Sequence, residues 1–167
     1  MMKIIKEIGI RRLMRYFIFG FWQWIFDCLP FSPLRIFWLR LGGVSIGDNC
    51  VIDKIDFINL DRTGLKGLLI GRECFLGRGA MLDLAGGIIL EEQVTIAVRA
   101  ILLTHLSVGF TNHPLSKQYP KMVKKIILRK ACFIGSGSII LPGVEVGQQA
   151  MVAAGAIVLN TVLAKKM

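Results

Sequence analysis

Residues 128–158 read LRKACFIGSGSIILPGVEVGQQAMVAAGAIV and place an aliphatic side chain at every sixth position. The series is Leu128, Ile134, Ile140, Val146, Val152 and Val158. A period of six fits neither an α-helix, which repeats about every 3.6 residues, nor a coiled coil, which repeats about every seven. It is typical of a parallel β-helix, in which three hexapeptides form one triangular coil. A sandwich of short strands is the alternative interpretation.

The same spacing continues toward the N-terminus, with interruptions. It runs through Ile70, Leu76 and Leu82, then after a slip of two residues through Leu90, Ile96 and Leu102, and earlier through Ile46, Ile52 and Ile58. Gly64 breaks the series once. About 95 residues between 46 and 163 follow the repeat, which predicts roughly five coils.

A second series supports the register, because a mostly small residue stands two positions before each aliphatic one. Its members are Cys50, Cys74, Ala80, Val94, Ala100, Cys132, Ser138, Val144, Ala150 and Ala156. We expect both series to point into the coil, and we expect Gly135 and Gly147, just after the aliphatic residue, to permit a tight bend. Three of the four cysteines are then packed hydrophobes in a reducing compartment, whereas Cys28 lies outside the repeat.

Residues 1–43 have a different composition and form a separate segment before the repeat domain at 44–163. They hold all three Trp and seven basic residues against two acidic ones, in a chain of 167 residues with net charge +10. The pattern predicts an amphipathic helix over residues 3–28. A second, short helix follows, with Ser32 as its N-cap, Pro33 at its first position and Gly42-Gly43 at its end.

The N-terminal segment favours attachment to a membrane surface. Gln23 interrupts its apolar run and Asp27 and Pro30 close it, and a span needs about 20 apolar residues. A helix with basic residues on one face and Trp and Phe on the other is typical of an interfacial anchor on an anionic surface. A secretory signal is less consistent, because no small-residue cleavage site follows. The alternative is that this face packs on the chain or on another subunit.

One long interruption of the repeat, residues 104–126, carries the only two histidines of the chain. Insertions longer than about 12–15 residues are usually functional or disordered. His105 lies where the coil ends and the loop begins, and histidine is the side chain best suited to act as a general base near neutral pH. His113 is a candidate for substrate binding, or it initiates a turn with Asn112 and Pro114.

These segments resemble the hexapeptide-repeat acyltransferase superfamily, which has a left-handed parallel β-helix. More narrowly, the chain resembles galactoside and maltose acetyltransferases and the O-acetyltransferases of polysaccharide clusters. The stretches that carry the resemblance are VTIA at 94–97, LLTH at 102–105 and FIGSGSIILPGV followed by VGQQAMVAAGA between 133 and 156. The resemblance covers residues 44–160 and implies an all-β, left-handed β-helix.

The resemblance also implies a function and a set of site residues. It implies a homotrimer with clefts between neighbouring prisms, acetyl-CoA as donor, a sugar or glycan hydroxyl as acceptor, and no metal. His105 matches the catalytic histidine, and Asp83 falls near an acceptor-binding position. Ser136 and Ala154 match positions that line the coenzyme channel. Asn160 is the third cofactor-binding candidate, although relatives usually carry Thr-Lys where this chain has Leu159-Asn160.

Other functions remain open or are excluded. The same fold hosts a zinc enzyme with three histidine ligands, which a chain with two histidines cannot supply. A covalent route through cysteine is disfavoured, because the repeat cysteines are in packing positions. A non-catalytic trimeric scaffold, a longer acyl donor and an amino-sugar acceptor remain alternatives. Nucleic acid is not an expected partner, because the charge is concentrated in the apolar N-terminus and one loop. The expected location is the cytoplasmic face of a bacterial membrane.

Overall fold

The computed structural model describes residues 10–109 and 112–164. Two helices come first: α1 spans Ile10–Cys28 and α2 spans Ser32–Leu41. The predicted first helix is therefore present from residue 10 onward, and residues 3–9 of that prediction lie outside the described residues. Gly42 ends α2, as the sequence predicted.

The start of α2 differs from the prediction. The cap position belongs to Phe31, whose backbone is extended, and no side chain caps the helix there. The Ser32 hydroxyl instead accepts a hydrogen bond from the backbone N–H of Ile52 at 2.8 Å. Ser32 therefore ties the helix to the first coil rather than capping the helix.

Three five-stranded parallel sheets form a triangular prism of five coils, which confirms the predicted β-helix. The first face contains β1 Ser45–Ile46, β4 Leu68–Ile70, β7 Ile88–Leu90, β12 Ile126–Leu128 and β15 Glu145–Val146. The second face contains β2 Val51–Ile52, β5 Phe75–Leu76, β8 Thr95–Ile96, β13 Phe133–Ile134 and β16 Met151–Val152. The third face contains β3 Asp56–Ile58, β6 Met81–Asp83, β9 Ile101–Leu102, β14 Ile139–Ile140 and β17 Ile157–Val158.

Two insertions leave the prism. The first, after β3, contains the short helix α3 Leu60–Thr63 and a 3₁₀ turn at Gly64–Gly67. The second contains an antiparallel hairpin of β10 His105–Leu106 and β11 Met122–Val123, with a 3₁₀ turn at Pro114–Ser116. Both insertions fall where the six-residue period fails, so the breaks in the sequence pattern mark the irregular structure.

The predicted aliphatic series fills the prism, with exceptions in the first coil and at Val158 in the last coil, which is half-buried. Its members from Ile46 to Val152 are buried, but Ile58 is only half-buried. Phe57 is the inward residue there: it is 8% exposed and stands opposite Leu82 of the next coil. The first coil is thus one residue shorter than the period predicts, and the large ring of Phe57 takes its inward position.

The small-residue series is also internal. Cys50, Cys74 and Cys132 are buried and occupy the same inward position as Ala80 and Ala100. They are free thiols packed against the aliphatic side chains. Their interpretation as packed hydrophobes is confirmed.

Glycine is required after the inward aliphatic residue, but not because of the predicted bend. A Cβ on Gly135 would lie 2.5 Å from the backbone nitrogen of Ala154 in the next coil. The left-handed backbone comes two residues later, at Gly137 with φ 65°. Gly135 is therefore required because adjacent coils stack closely, and Gly137 carries the bend.

The helices cover one end of the prism through apolar contacts. Phe26 and Leu39 are fully buried against the first coil. The rings of Trp22 and Trp38 stack at 5.9 Å, and Phe26 meets Phe57 edge-on at 5.7 Å. These contacts close the bottom of the core, which would otherwise be open to water.

A buried guanidinium fixes α2 to the same coil. Arg35 is 4% exposed and donates to the carbonyl oxygen of Ile52 at 3.2 Å and to that of Pro30 at 3.3 Å. It forms an ion pair with Asp53, with 3.4 Å between Arg35 Nη1 and Asp53 Oδ1. The paired and hydrogen-bonded state is what makes burial of this charge tolerable.

The outward face of the helices remains strongly apolar. Its exposed aromatic residues are Tyr16, Phe17, Phe21, Trp24, Phe31 and Phe37. In the described part of the chain, no helix combines the length and the apolar character that crossing a membrane requires.

Candidate active site

His105 lies at the corner where the third face turns into the first. It follows β9 by three residues and opens the hairpin, where it stands opposite Val123. Its side chain is 22% exposed, so solvent or a small molecule can reach the ring. The structure therefore places the predicted base at the edge of the prism, with its backbone held by the hairpin.

The carboxylate of Asp83 lies directly behind the imidazole. Its Oδ2 is 2.6 Å from His105 Nδ1 and also accepts the backbone N–H groups of Thr104 and His105, each at 2.9 Å. Its Oδ1 accepts from Asn59 Nδ2 at 2.7 Å and from the backbone N–H of Ala85 at 3.1 Å. Five donors thus surround a carboxylate that has no exposed surface.

Hydrogen bonds keep this buried carboxyl ionised. Burial alone raises the pKa of Asp83, but the hydrogen bonds from His105, Ala85, Asn59 and Thr104 outweigh burial and hold the pKa below its ordinary value. Because an ionised carboxylate only accepts, the proton of the neutral imidazole lies on Nδ1. Nε2 then carries the lone pair that a general base needs.

Asp83 was expected to bind the acceptor, and the structure gives it a different position. Its carboxylate is fully buried, and both oxygens are engaged by His105 and its neighbours. It therefore has no surface with which to contact a substrate. The geometry is that of a residue that orients the imidazole.

Asn59 is a site residue that the sequence reasoning missed. Its Nδ2 lies 2.7 Å from Asp83 Oδ1 and 3.3 Å from His105 Nδ1. It has a left-handed backbone, with φ 60°, at the start of the first insertion. Asparagine tolerates that conformation better than most residues. The signal that could have identified it is its place at the break in the repeat.

Thr104 connects His105 to the coil below. It is fully buried, and its hydroxyl donates to the carbonyl oxygen of Asp83 at 2.7 Å and accepts the N–H of Gly86 at 2.8 Å. Lys124, at the end of the hairpin, donates its N–H to the Thr104 carbonyl at 2.8 Å. These bonds fix the corner from which His105 projects.

His113 has local contacts. Its Nδ1 accepts the N–H of Leu115 at 3.1 Å, and its carbonyl accepts the Ser116 hydroxyl at 2.7 Å, so it begins the 3₁₀ turn. These contacts favour the turn interpretation over substrate binding.

The predicted cofactor residues lie on two different corners. Ser136 and Ala154 follow the second face one coil apart, and the N–H of Gly155 donates to the Ser136 carbonyl at 2.9 Å. Asn160 follows the third face, on the corner that carries His105. The structure therefore brings Ser136 and Ala154 together and separates both from Asn160 and His105 by the width of one face.

The buried cysteines are poor nucleophiles. Burial raises the pKa of Cys74 to about 11 and that of Cys132 to about 12. A neutral thiol inside the coil has neither the charge nor the access that covalent transfer needs. Among the described residues, no group of three or more His, Cys, Asp and Glu side chains is placed to hold a metal ion.

A cleft of about 350 Å³ opens between α1 and the first coil. Its lining residues include Tyr16, Phe19 and Gln23 of α1 and Asn59 of the first insertion. Because Asn59 also contacts Asp83 and His105, this cleft adjoins the histidine corner.

Comparison with known proteins identifies the repeat. The family model described as "Hexapeptide repeat of succinyl-transferase" matches residues 40–53, 67–97 and 130–160. These ranges include strands of all five coils and leave out β3, β9, β12 and nearly all of the two insertions.

Curated relatives match through part of their length. Serine acetyltransferase of Buchnera aphidicola subsp. Acyrthosiphon pisum is 39% identical over 88 residues, which is 53% of this chain and 30% of that protein. Serine acetyltransferase of Escherichia coli K12 is 36% identical over 87 residues, 52% of this chain and 30% of that protein. The chain thus matches less than a third of the length of these relatives.

Solved structures match through nearly the whole chain. A hexapeptide-repeat-containing acetyltransferase from Vibrio cholerae has a TM-score of 0.75 at 19% identity and covers 98% of this chain and 90% of its own. A structure of such an enzyme from Vibrio cholerae O1 biovar eltor with acetyl coenzyme A has a TM-score of 0.71 at 20% identity, covering 87% and 76%. A maltose O-acetyltransferase from Clostridium difficile 630 has a TM-score of 0.74 at 16% identity, covering 92% and 80%. These likenesses show a shared fold.

Proposed function

The chain carries the hexapeptide repeat and the left-handed β-helix of the hexapeptide-repeat acyltransferase superfamily, and on that premise we propose that it is an acetyl-CoA-dependent O-acetyltransferase. The observation that carries the proposal is the His105–Asp83 pair at the break in the repeat, with 2.6 Å between Nδ1 and Oδ2. Such a pair supplies an oriented base at an accessible edge. A solenoid that served only as a scaffold would not need a buried carboxylate surrounded by donors.

The proposed reaction is direct transfer. His105 Nε2 takes the proton of an acceptor hydroxyl as its oxygen attacks the thioester carbon of acetyl-CoA, and a backbone N–H stabilises the resulting oxyanion. Collapse of this intermediate breaks the carbon–sulfur bond, and the imidazolium returns the proton to the leaving thiolate. Asp83 stays ionised throughout and stabilises the imidazolium, because its pKa lies below the ordinary value.

Two observations support acetyl-CoA as the proposed donor: a similar protein that binds it and the exposed corner at Ser136 and Ala154. A Vibrio cholerae relative of the same fold was solved with acetyl coenzyme A. Ser136 and Ala154 are exposed and stack one coil apart, so a donor that lies along this corner would contact both. An acyl donor longer than acetyl remains an alternative that the chain's own residues do not exclude.

We propose a homotrimer in which the site is shared. Ser136 stacks above Val98, because Gly137 donates to the Val98 carbonyl at 3.0 Å, and seven residues of chain separate Val98 from His105. At about 3.3 Å per residue, the two corners are up to roughly 23 Å apart in one prism. A donor that lies along Ser136 and Ala154 therefore reaches a histidine more readily from a neighbouring prism.

The acceptor is a hydroxyl, and we propose a sugar or a polysaccharide precursor. A maltose O-acetyltransferase shares the fold. L-serine is a second candidate, because serine acetyltransferases are 36% to 39% identical over the matched coils. An amino-sugar acceptor would use the same base and differs only in the atom that attacks.

We propose that residues 1–43 attach the protein to the inner face of a bacterial membrane. The exposed rings of α1 and α2, among them Trp24 at 61% and Phe37 at 60%, form an apolar surface on the helices. The segment has seven basic residues and two acidic ones, which favours an anionic surface. The alternative is that this surface packs against another subunit of the trimer.

A thiol-release assay with acetyl-CoA tests the catalytic proposal. His105→Ala should lower kcat by about 10²- to 10⁴-fold and leave the unfolding transition unchanged. His113→Ala is the matched control, since it removes the other histidine of the same insertion. If His113→Ala loses more activity than His105→Ala, the base is wrongly assigned; if no acceptor from a broad panel elicits thiol release, the scaffold alternative gains support.

Light scattering in mild detergent tests the assembly. A trimer should give three times the 18.6 kDa chain mass. A monodisperse, active monomer would contradict the shared site.

Flotation with liposomes tests the membrane proposal. Binding should require anionic lipid at low protein concentration, should weaken partly with salt, and should be lost on deletion of residues 1–43. Full-length protein that stays unbound beside anionic liposomes would favour burial of the apolar surface in the trimer.

A further inference from the structure

The corner between the second and third faces carries a row of exposed basic side chains. Its members in the first three coils are Lys54, Arg78 and Arg99, and we refer to them as the basic corner. We propose that Arg78 and Arg99 bind an oxyanion of the acceptor, a carboxylate or a phosphate, across the cleft from the histidine of a neighbouring prism; the inference rests on the proposed function. The enzyme then selects hydroxyl compounds that carry a negative charge.

Backbone hydrogen bonds stack these residues coil upon coil. The N–H of Gly79 donates to the Lys54 carbonyl at 2.7 Å, and the N–H of Arg99 donates to the Arg78 carbonyl at 3.0 Å. Because neighbouring strands of a sheet are about 4.8 Å apart, the three basic side chains leave the backbone within about 10 Å of one another. The basic corner is therefore one continuous surface.

Arg99 has a backbone conformation that favours glycine. Its φ is 57°, and the left-handed residues of this corner in the second, fourth and fifth coils are Gly79, Gly137 and Gly155. Its side chain lies back over the second coil, since a Cβ added to Gly79 would be 3.4 Å from Arg99 Cγ. Glycine would adopt this conformation with less strain, so the arginine indicates a role other than stability.

The basic corner has more positive charge than its own carboxylates neutralise. Arg78 is 73% exposed, and its Nε lies 3.5 Å from Asp53 Oδ2, while Asp53 Oδ1 pairs with the buried Arg35. In the described part of the chain, no ion pair joins Arg99 to a carboxylate. Asp56, the next acid along the chain, lies in β3 on the third face. Exposed guanidinium groups bind carboxylates and phosphates through paired hydrogen bonds, which makes an oxyanion the fitting ligand.

The height of the basic corner along the prism favours the acceptor over the donor. His105 leaves the third coil, and its imidazole bonds Asp83 of the second, so the proposed base lies at the level of Arg99 and Arg78. A threefold axis parallel to the prisms keeps equal coils of neighbouring copies at equal height. A donor that lies along the fourth and fifth coils with its thioester beside the imidazole extends its phosphates away from the basic corner. The side toward the first coil is left for the acceptor.

Three matched pairs of small acceptors test the charge requirement. They are methyl β-glucuronide with methyl β-glucoside, glucose 6-phosphate with glucose, and L-serine with L-serinamide, and only the first member of each pair has an oxyanion. The first two pairs separate carboxylate from phosphate, and the third separates an amino acid from a sugar. We expect the wild-type enzyme to use the charged member of the reacting pair with the lower KM.

Arg99→Gly and Arg78→Gln remove the proposed contacts. Arg99→Gly introduces the residue that stands at the equivalent positions of three other coils, so it should fold normally. We expect each variant to raise the KM for the charged acceptor by about 10- to 100-fold, the effect of one lost charge-assisted hydrogen bond. The KM for its neutral counterpart and for acetyl-CoA should stay within about twofold.

Two residues of the corner between the first and second faces are matched controls. Gln93 is a left-handed residue of the same third coil, with φ 61°, and Arg72 is an exposed arginine of the second coil. Gln93→Gly and Arg72→Gln should leave the KM for the charged acceptor within about twofold. An effect of Arg72→Gln equal to that of Arg78→Gln would show a general influence of net charge and overturn the site.

Mixed trimers test whether the arginines act across the cleft. Subunits with His105→Ala are co-expressed with subunits that carry Arg78→Gln and Arg99→Gly. If the site is shared, about a quarter of the sites in randomly mixed trimers combine an intact histidine with intact arginines of the neighbour. Transfer to the charged acceptor at low concentration should then exceed that of either parent. No recovery would overturn the placement across the cleft.

The outcomes separate this inference from the proposed function. If acetyl transfer proceeds and the arginine variants leave the preference for charged acceptors unchanged, the basic corner is not an acceptor site and the proposed function stands. If the variants raise the KM for acetyl-CoA instead, the corner binds the donor phosphates and the assignment to the acceptor is wrong. If the wild-type chain transfers acetyl to no acceptor, the proposed function fails; calorimetry with the charged probes would then still support an oxyanion site if binding is lost in Arg99→Gly, and no binding to the wild type would overturn it.

Discussion

Replacing Asp83 by Asn removes the charge behind His105 and changes the size of the side chain very little. In the wild-type protein both carboxylate oxygens face only donors. Oδ1 accepts from Asn59 Nδ2 and the N–H of Ala85, and Oδ2 accepts from the N–H groups of Thr104 and His105 and from His105 Nδ1. An amide has one oxygen and one NH₂, so in either orientation the NH₂ meets donors.

The two orientations differ in cost. With the NH₂ at the Oδ2 position, two backbone N–H groups and the imidazole lose their acceptor. With the NH₂ at the Oδ1 position, Asn59 can rotate its amide to present oxygen, and only the N–H of Ala85 is left without a partner. The second orientation is favoured, and one unsatisfied buried donor lowers the free energy of unfolding by about 1–3 kcal/mol.

The effect on the rate follows from the same geometry. In the favoured orientation the amide oxygen still accepts the Nδ1 proton of His105, so the base keeps its tautomer. What is lost is the negative charge that stabilises the imidazolium. We expect kcat to fall by about 10²- to 10³-fold, less than the roughly 10⁴-fold fall typical of triads in which the tautomer also changes.

Thiol release, with both substrates varied, measures the effect. The KM for acetyl-CoA should stay unchanged, and a downfield proton resonance from Nδ1–H, expected for a 2.6 Å bond to a carboxylate, should disappear. Cys74→Ala is the control for lost stability, because it creates a small cavity in the core and leaves the histidine corner intact. A folded Asp83→Asn protein with kcat within about threefold of wild type would refute the positioning role.

Three further predictions follow from the described residues. Gly137 has φ 65° and open space for a Cβ, so Gly137→Ala should lower the free energy of unfolding, measured in urea, by about 1 kcal/mol. Ala131→Gly, at φ 56°, is the control and should change stability little, because relief of backbone strain offsets the added entropy of the unfolded chain. The pKa of Asp83 lies below its ordinary value of 3.8, so its contribution to stability is full above that value and is lost as pH falls through the folded pKa. Wild-type stability should therefore fall more steeply than that of Asp83→Asn below roughly pH 4, and equal slopes would contradict this. Iodoacetamide at mild alkaline pH should label the exposed Cys28 and should label Cys74 only after urea unfolds the chain. The reason is that burial raises the pKa of Cys74 to about 11. Labelling of Cys74 in the native protein would contradict its packing role.

The repeat could be predicted from the sequence because each hexapeptide repeats one local environment. A side chain at the inward position must be aliphatic and its neighbour two residues earlier must be small, so composition and spacing identify both. The prediction failed at Ile58, where Phe57 points inward instead. Period alone cannot show that one coil is a residue shorter than the others and takes a large ring at its inward position. It also misjudged Gly135, whose lack of a side chain serves contact with the next coil and not the bend.

His105 could be predicted for a related reason. It stands where the period stops, and a break in a regular solenoid marks a segment that the solenoid does not need. Its exposure and its place at the corner agree with that expectation. The residues around it carry no comparable signal, since Asn59 and Asp83 belong to the first and second coils.

By itself, the sequence determined the β-helix, its five coils and most of the inward residues, and it singled out His105 as the proposed base, because these depend on local periodicity and on where it stops. Only the tertiary structure decided which groups meet the base. Asp83 is 22 residues and Asn59 is 46 residues before His105, and their contact depends on how β3, β6 and β9 align across two irregular insertions. The cleft likewise exists only because α1 packs beside the first coil. A shift of one residue in that alignment would turn the carboxylate to the opposite face of its strand, and spacing along the chain does not encode the alignment.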